Sequence, residues 1–386
     1  MIIGLGEDGP AGLPDASRQA LAEAEVMFGG PRHLELVGAG ARGQAWPVPF
    51  DVAPVLAQHG RRVVVLASGD PFWHGAGGSL VPHLGPGEWV SHPVPSVESR
   101  IANRLGWRLE GVACHGLHAA PFAQLLPDLH NGARLICTLR DGVAPGALAE
   151  WLVTQGFGLS TLHVIEAEGG PRARLRVAEA RGFALDGIAL PVAVAIEARG
   201  QGLPRSPGLP DARFAHDGQI TKSPIRAMTI AALAPRPGER LWDIGAGSGS
   251  VSVEWCLAGG FSSAVEARAD RVANIRANID TFGLAPRLTV TEGVAPGVLA
   301  GLPLPDAVFV GGGLDTAVLE ALWRLMPAGA RLVANAVTLE TEALMVAGQA
   351  QHGGTLTRIA IANAAPLGQM RGWVAARPVV QWSMIR

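Results

Sequence analysis

Tyrosine is missing from all 386 residues, lysine occurs once, at Lys222, and there are only three cysteines. Cys114, Cys137 and Cys256 stand too far apart for a framework of bridges or a C-x-x-C metal knuckle, and they read as small apolar residues. Hydrophobic residues make up 48% of the chain, yet no uninterrupted apolar run reaches the roughly 18 residues of a transmembrane segment. Charge is sparse as well: charged residues are 17%, the net charge is −2, and arginine is dispersed rather than drawn into a stripe. That balance argues against a nucleic-acid partner and for small-molecule ligands. With 51 glycines and 29 prolines, the missing tyrosine and near-missing lysine look like nucleotide-composition bias, which makes the surviving Lys222 stand out. Cys114, His115 and His118 lack a distant fourth ligand, so no metal is expected, and the two histidines read as lining a loop or satisfying backbone groups. The chain opens on strand-like MIIGLG rather than the basic region, long apolar core and cleavage site of a signal peptide, so the cytoplasm is the expected compartment.

A chain of this length exceeds one ordinary core and implies at least two domains. The stretch RLWDIGAGSGSVSVEWCLAGGFSSAVEARAD, residues 240–270, carries the strongest chemical signal. Apolar Leu241, Trp242 and Ile244 predict a short buried strand, and an apolar-periodic helix follows from about Ser250 to Leu257. Between them lies the turn Gly245-Ala246-Gly247-Ser248-Gly249, where backbone can approach a ligand closely and the helix turns its free N–H groups toward the same place. A dinucleotide fingerprint would need its third glycine at position 250, which is Ser250; the G-x-G-x-G spacing favours S-adenosylmethionine. SSAVEA predicts the next strand, ending in Glu266, whose carboxylate can accept both ribose hydroxyls. Asp243, at the end of the first strand, could hold the ligand's amino group. Alone, the triplet would also fit a turn in any α/β protein. Strand, triplet and spaced acid together point to a bound cofactor.

Before this stretch, residues 201–219 hold a Gly/Pro-rich linker, dividing a first domain, 1–200, from a second, 220–386. ITKSPIRAMTIAALAP predicts a helix whose polar start, Thr221, Lys222 and Arg226, would cap the cofactor pocket. After Glu266, strands and helices alternate through DRVANIRANIDTFG, RLTVTEG, DAVFVGGG, AVLEALWRLMPAG and ARLVANAV, closing on an antiparallel pair within 355–385. This order is that of a doubly wound, Rossmann-like methyltransferase domain. The fourth strand ends in Val310-Gly311-Gly312-Gly313 rather than the polar-Pro-Pro-aromatic run that holds a base amine, leaving room for a bulky flat acceptor.

The first half is another α/β unit. RRVVVLASGDPFWHGAGGSL contains a continuous apolar strand, Val63 to Ala67, as buried parallel strands have, followed by Ser68-Gly69-Asp70-Pro71 at the carboxyl end where ligands sit. Gly-Asp-Pro is also ordinary turn chemistry, and both readings stand. A helix is predicted from about Val97 to Leu105 with Gly106 as its stop, then a strand at RLICTL, 134–139, and further strands in HVIEAEGGPRARLRVAEA and LPVAVAIEARG.

These motifs together resemble known families. PGLPDARFAHDGQITKSPIR, LWDIGAGSGSVSVEW, EGVAPG and VFVGGG resemble the decarboxylating precorrin methylases of cobalamin synthesis. GLGEDGPAGL, FGGPRH, ASGDPFWHGAGG and EAEGGP resemble the tetrapyrrole methylase family. Fused in this order, the halves resemble bifunctional precorrin methyltransferases of the 5,15 type, although Ser223-Pro224 stands where the family usually has a charged pair. The resemblance implies a tetrapyrrole methylase fold of two α/β subdomains followed by the Rossmann-like domain. It also implies one S-adenosylmethionine site in each domain, a tetrapyrrole substrate, methylation at positions 5 and 15, and loss of the ring C acetate as carbon dioxide. In the second domain the implied cofactor contacts are Thr221, Gly245 to Gly249, Glu266, Gly293 and Ala295. In the first they are Ser68, Gly69, Asp70, Trp73, Ser99, Leu139 and Ala167. Lys222 and Arg226 are candidates for binding substrate carboxylates, against the plainer reading of helix-start charge. A homo-oligomer is implied by both halves.

Overall fold

A computed structural model describes residues 1–386, which divide into two compact units: Met1–Phe122 with Asp128–Gly202, and Ala123–Pro127 with Leu203–Arg386.

The first unit contains two sheets. Strands β1 (Ile2–Leu5), β2 (Val26–Gly29), β3 (Gly43–Ala45), β4 (Val63–Ser68) and β5 (Ser91–His92) form a wholly parallel sheet in the order β3-β2-β4-β1-β5. Period-two alternation sorts its apolar residues onto two buried faces. Ile3, Leu5, Met27, Val64 and Leu66 pack on one side, and Ile2, Val26, Phe28 and Val65 on the other. The second sheet runs β6 (Val112–Leu117), β7 (Arg134–Leu139), β10 (Val192–Glu197), β8 (Thr161–Glu166) and β9 (Arg174–Glu179), with only the β6–β7 pair parallel. Helix Val97–Leu105 precedes it, capped by Ser96 and stopped at Gly106 in the left-handed region.

The second unit is a seven-stranded sheet of β11 (Arg240–Ile244), β12 (Phe261–Glu266), β13 (Leu288–Glu292), β14 (Ala307–Val310), β15 (Arg331–Ala336), β16 (Thr355–Ile359) and β19 (Val379–Ile385). Its order is β13-β12-β11-β14-β15-β19-β16, with β19 antiparallel to both neighbours: the doubly wound methyltransferase arrangement that the sequence predicts. Trp242, Trp255 and Trp382 are buried in its two core faces. Between β16 and β19 the chain forms a separate hairpin of β17 (Ala362–Leu367) and β18 (Met370–Ala375), so the closing antiparallel pair carries an insertion. Helix Leu339–His352 is not among the sequence expectations; it starts on a Thr338 side-chain cap, with Glu340 and Glu342 in its first turn.

Of the Gly/Pro-rich stretch 201–219, the first two residues end the first unit and residues 203–219 belong to the second. Leu209 and Phe214 join its core, and the backbone N–H groups of Gly208 and Leu209 donate to the Glu254 carboxylate at 2.7 and 2.9 Å.

Candidate functional site

In the second unit the candidate residues gather at the carboxyl ends of parallel strands, beside the point between β11 and β14 where the strand order reverses. Gly245, Gly247 and Gly249 have φ of 65, 59 and 70°. All three lie in the left-handed region, where a side chain would be strained. A Cβ on Gly245 would stand 2.4 Å from the Gly312 carbonyl oxygen, so the glycine loop and the Gly311–Gly313 turn touch through bare backbone. Beyond Gly312 and Gly313 the space is open. The buried Glu266 carboxylate accepts the Gly247 N–H at 2.8 Å and the Arg268 N–H at 3.1 Å, and its remaining lone pairs can still accept hydroxyls. Gly293 follows β13 with its N–H on the Glu266 carbonyl at 2.9 Å, which brings Gly293 and Ala295 beside that strand end.

Asp243 is fully enclosed. Its Oδ2 accepts the Ser252 hydroxyl at 2.6 Å and the Ser252 N–H at 3.2 Å, while Oδ1 has no partner. Burial pushes this carboxyl up to about 6, against the Ser252 hydrogen bonds and with a further upward push from Glu266. The Ser248 hydroxyl, in the glycine loop, is also buried without a partner. Two orphaned polar atoms and an open backbone cradle fit a polar ligand with an amino group and hydroxyls.

Thr221, Lys222 and Arg226 separate into different roles. The Arg226 side chain is 0% exposed. Its guanidinium donates to Glu254 at 2.6 Å, to Asp211 at 3.2 Å and to the carbonyls of Thr221 and Leu209, and it lies over the Phe214 ring. The expectation that Arg226 binds a substrate carboxylate is therefore corrected, because its fork is already engaged inside the protein. Lys222, 60% exposed with Nζ 3.6 Å from Asp211, remains free to reach outward. Thr221 is placed through its own carbonyl by Arg226.

Sequence reasoning missed Asn278. Fully buried on helix Ala269–Thr281, it accepts the Ala215 N–H at 2.7 Å and donates to the carbonyls of Ala215 and Ser248 at 3.0 and 2.8 Å. One side chain thus ties the glycine loop to the segment leading to Thr221. Arg271, on the same helix, adds an ion pair to Asp217 at 2.9 Å. An apolar-face reading of DRVANIRANID gives no hint that an amide belongs inside.

The first unit builds its candidate site from both of its sheets. Gly69, with φ 60°, receives its place from three sides: its N–H donates to the Leu5 carbonyl, its carbonyl accepts the Val94 N–H, and a Cβ on it would meet the Ser96 backbone at 2.5 Å. Gly4 allows that crossing, since a Cβ there would overlap the Gly69 carbonyl oxygen. Asp70 caps the turn at the Phe72 N–H, leaving Trp73 half-exposed and edge-on to His74. Ser99 donates its N–H to the Ser96 hydroxyl at the helix start. Leu139 is buried at the end of β7. Ala167 follows β8 at φ 46°, beside a Glu166 carboxylate that burial pushes up and that Arg174, the Ala189 N–H and Arg176 together hold below the usual range. His115 is engaged with Asp128 at 3.0 Å. Burial pushes the Cys114 and Cys256 thiols up, to about 11 and about 12. Both stay protonated at neutral pH and are poor nucleophiles.

Two residues next to Ser68 were not singled out from sequence. His33 Nε2 lies 2.9 Å from the Ser68 hydroxyl, and Arg32 donates to the same hydroxyl at 3.2 Å while pairing with Glu7.

Comparison with known proteins finds that residues 1–167 match the family model of tetrapyrrole (corrin/porphyrin) methylases, and residues 212–386 that of precorrin methyltransferase domains. The precorrin-6Y C(5,15)-methyltransferase [decarboxylating] of a Sinorhizobium species is 47% identical over 99% of this chain and 95% of its own length. The enzyme of that name from Mycobacterium tuberculosis is 37% identical over 100% of this chain and 99% of its own. A probable cobalt-precorrin-6B C(15)-methyltransferase (decarboxylating) from Pyrobaculum calidifontis is 36% identical over 45% of this chain and 93% of its own length. With identity sustained end to end across both units, the chain belongs to the family of decarboxylating precorrin-6Y C(5,15)-methyltransferases.

Proposed function

We propose that this enzyme uses two S-adenosylmethionine sites, one in each unit. It methylates positions 5 and 15 of precorrin-6B and removes the ring C acetate as carbon dioxide, giving precorrin-8. The observation that carries the reading is the full-length 47% identity, which spans both units at once. The first unit would methylate position 5. The second would methylate position 15 and decarboxylate, a division supported by the relative that matches only 45% of the chain and is named for C(15) methylation with decarboxylation.

In the second unit Gly245 to Gly249 and Thr221 would cradle the cofactor, Glu266 would accept its ribose hydroxyls, Asp243 Oδ1 and Ser248 would meet its polar end, and Gly293 and Ala295 would flank it. In the first unit the corresponding contacts would come from Ser68, Gly69, Asp70, Trp73, Ser99, Leu139 and Ala167. Bound S-adenosylmethionine supplies an electrophilic methyl group. No protein nucleophile is needed, because an electron-rich meso carbon attacks it once both are held in line. The chain's own work is to orient, to exclude water and to handle charge. Lys222 would hold a substrate carboxylate, Arg226 would position Thr221 and Asp211 from beneath, and the bare Gly311–Gly313 turn would admit the flat macrocycle.

We place the enzyme in the cytoplasm as a homo-oligomer. The hairpin β17–β18 supports self-association, since Leu367, Met370, Trp373 and Val374 all stand exposed on it. Light scattering of a Trp373→Ser, Met370→Ser protein would show a smaller particle; an unchanged mass would remove the hairpin from the interface. For the reaction itself, the test is a mass spectrum of precorrin-6B after incubation with the protein and S-adenosylmethionine. A gain of two methyl groups with loss of one carbon dioxide is expected. An unchanged tetrapyrrole, with the cofactor still bound, would overturn the assignment.

A further inference from the structure

Methylating a meso carbon leaves that carbon holding both the new methyl group and its original hydrogen. The ring regains its conjugation only when that proton leaves, so the site gains from a base. Resting on the reading that the first unit methylates such a carbon, the search reduces to groups at the carboxyl ends of its parallel strands that have a free lone pair and an opening toward the cleft.

His33 comes nearest to these conditions, with an unprotonated ring nitrogen whose one lone pair is shared between two donors. It follows β2 on the short helix Pro31–Leu36, beside β4, whose last residue is Ser68. Its Nε2 faces two groups: the Ser68 hydroxyl at 2.9 Å and the Arg32 guanidinium at 3.0 Å. An arginine only donates, so Nε2 carries the lone pair and the proton sits on the buried Nδ1, which has no partner. Arg32 also donates to the Ser68 oxygen, which leaves the Ser68 proton directed at His33 and one Ser68 lone pair facing the open end of the sheet. Glu7, after β1, pairs with Arg32 and holds the guanidinium in place. Other charged and titratable groups approach from the second sheet and its leading helix. His118 is pushed down by burial, and Glu98, His74 and Arg32 lie close enough to act on it. Burial, with Arg32 adding to it, also lowers His33 to about 4, so the ring is neutral at neutral pH.

We infer that Ser68 and His33 form the proton relay of the position 5 methylation. As the ring regains its double bond from the C–H electron pair, the proton passes to Ser68 Oγ and the Ser68 proton passes to His33 Nε2. The methyl group arrives from the sulfonium with its bonding pair left on sulfur, so the step requires no oxidant or further co-reactant. Ser68 touches the reacting carbon, while His33 acts through it and Arg32 and Glu7 are positioning residues that fix its tautomer.

The test uses the full-length protein, with the position 15 reaction as an internal control. His33→Gln keeps an acceptor for Ser68 but no base, and is expected to slow single-turnover methylation at position 5 by about 10²- to 10³-fold. Ser68→Ala should fall in the same range, and Ser68→Thr, which keeps the hydroxyl, should recover most of the rate. A merely structural role would not move two further readings. With substrate deuterated at position 5, a primary isotope effect should appear in His33→Gln that is absent from the wild type. Without any cofactor, wild-type protein in heavy water should speed deuterium exchange at position 5, by the same relay in reverse, and His33→Gln should not. Added imidazole should partly restore a His33→Gly protein. Rates for His33→Gln within threefold of wild type, or a matching loss at position 15, would overturn the relay. A wild-type chain that methylates position 15 but never position 5 would sink the underlying reading of the first unit instead.

Discussion

The second unit gathers its glycine loop and Glu266 at the carboxyl ends of parallel strands, whereas the first combines Ser68 and Gly69, at the end of parallel β4, with Ser99 on a helix and Ala167 after antiparallel β8, so the two sites are assembled by different means. In the second unit five consecutive residues, Gly245 to Gly249, make most of the cradle, and one acid at a fixed distance, Glu266, braces it through the Gly247 N–H. In the first, the residues come from segments scattered over 100 positions. Gly69 alone is held by Leu5 and Val94, with Ser96 against it. The lesson is that one site is a property of a loop and the other of a crossing of loops. The first kind tolerates changes elsewhere in the unit and fails when the loop changes; the second fails when any of several distant approaches is blocked.

The comparison can be broken most severely at Arg226. Arg226→Ala would strand the buried Glu254 carboxylate and take one partner from the part-exposed Asp211, destabilising the second unit by about 3–5 kcal/mol. Thermal unfolding would show the loss, and methylation at position 5 should survive below the lowered transition; equal loss at positions 5 and 15 would mean that the two sites share one stability. Next come paired glycine substitutions. Gly245→Val meets the Gly312 carbonyl and Gly69→Val the Ser96 backbone, each from a left-handed φ. Each should lower cofactor affinity in its own unit by about 100-fold, from backbone strain of roughly 1–3 kcal/mol and the steric clash. Calorimetric titration of the cofactor should then resolve one remaining site in either variant.

Asp243 sharpens the contrast further, because its site trades stability for ligand binding. A carboxyl raised to about 6 in the folded protein binds more protons there than in the unfolded chain, so its stability contribution falls as pH rises from about 4 to 6 and stays low above that. Asp243→Asn should therefore make the cofactor-free protein more stable at pH 7 by roughly 1–3 kcal/mol, with little change near pH 4. It should at the same time weaken cofactor binding in the second unit. Denaturant melts at the two pH values would check the sign. The smallest effect belongs to Lys222→Gln, which should raise the KM for the tetrapyrrole about tenfold in the position 15 reaction and leave kcat, melting temperature and position 5 untouched. An unaltered KM would return Lys222 to ordinary surface charge.

Asn278 and the His33–Ser68 pair show where reading the chain stopped. The helix 269–281 is legible from its apolar period, but whether a buried position on it holds Asn278 as an amide clamp depends on Ala215 and Ser248 arriving from 63 and 30 residues away. Helix Leu339–His352 escaped because its apolar stripe is weak and its start depends on Thr338. Arg226 was legible as a charge at a helix start and illegible as a buried hub, since its partners Asp211 and Glu254 lie on other elements.

What the sequence determined by itself is whatever the chain settles within a dozen or so residues. That includes the alternation of strands and helices in the second unit, its glycine turn, the strand ending in Glu266, the buried strand at Val63–Ser68 and the helix Val97–Leu105 with its glycine stop. Each rests on local periodicity, on backbone angles that only glycine adopts readily, or on caps supplied from nearby. Tertiary structure alone decided that Arg226 faces inward, that Asn278 joins two segments, and that His33 meets Ser68. Those outcomes depend on which polar groups are desolvated together, and a buried donor or acceptor takes its partner from wherever the packed chain brings one.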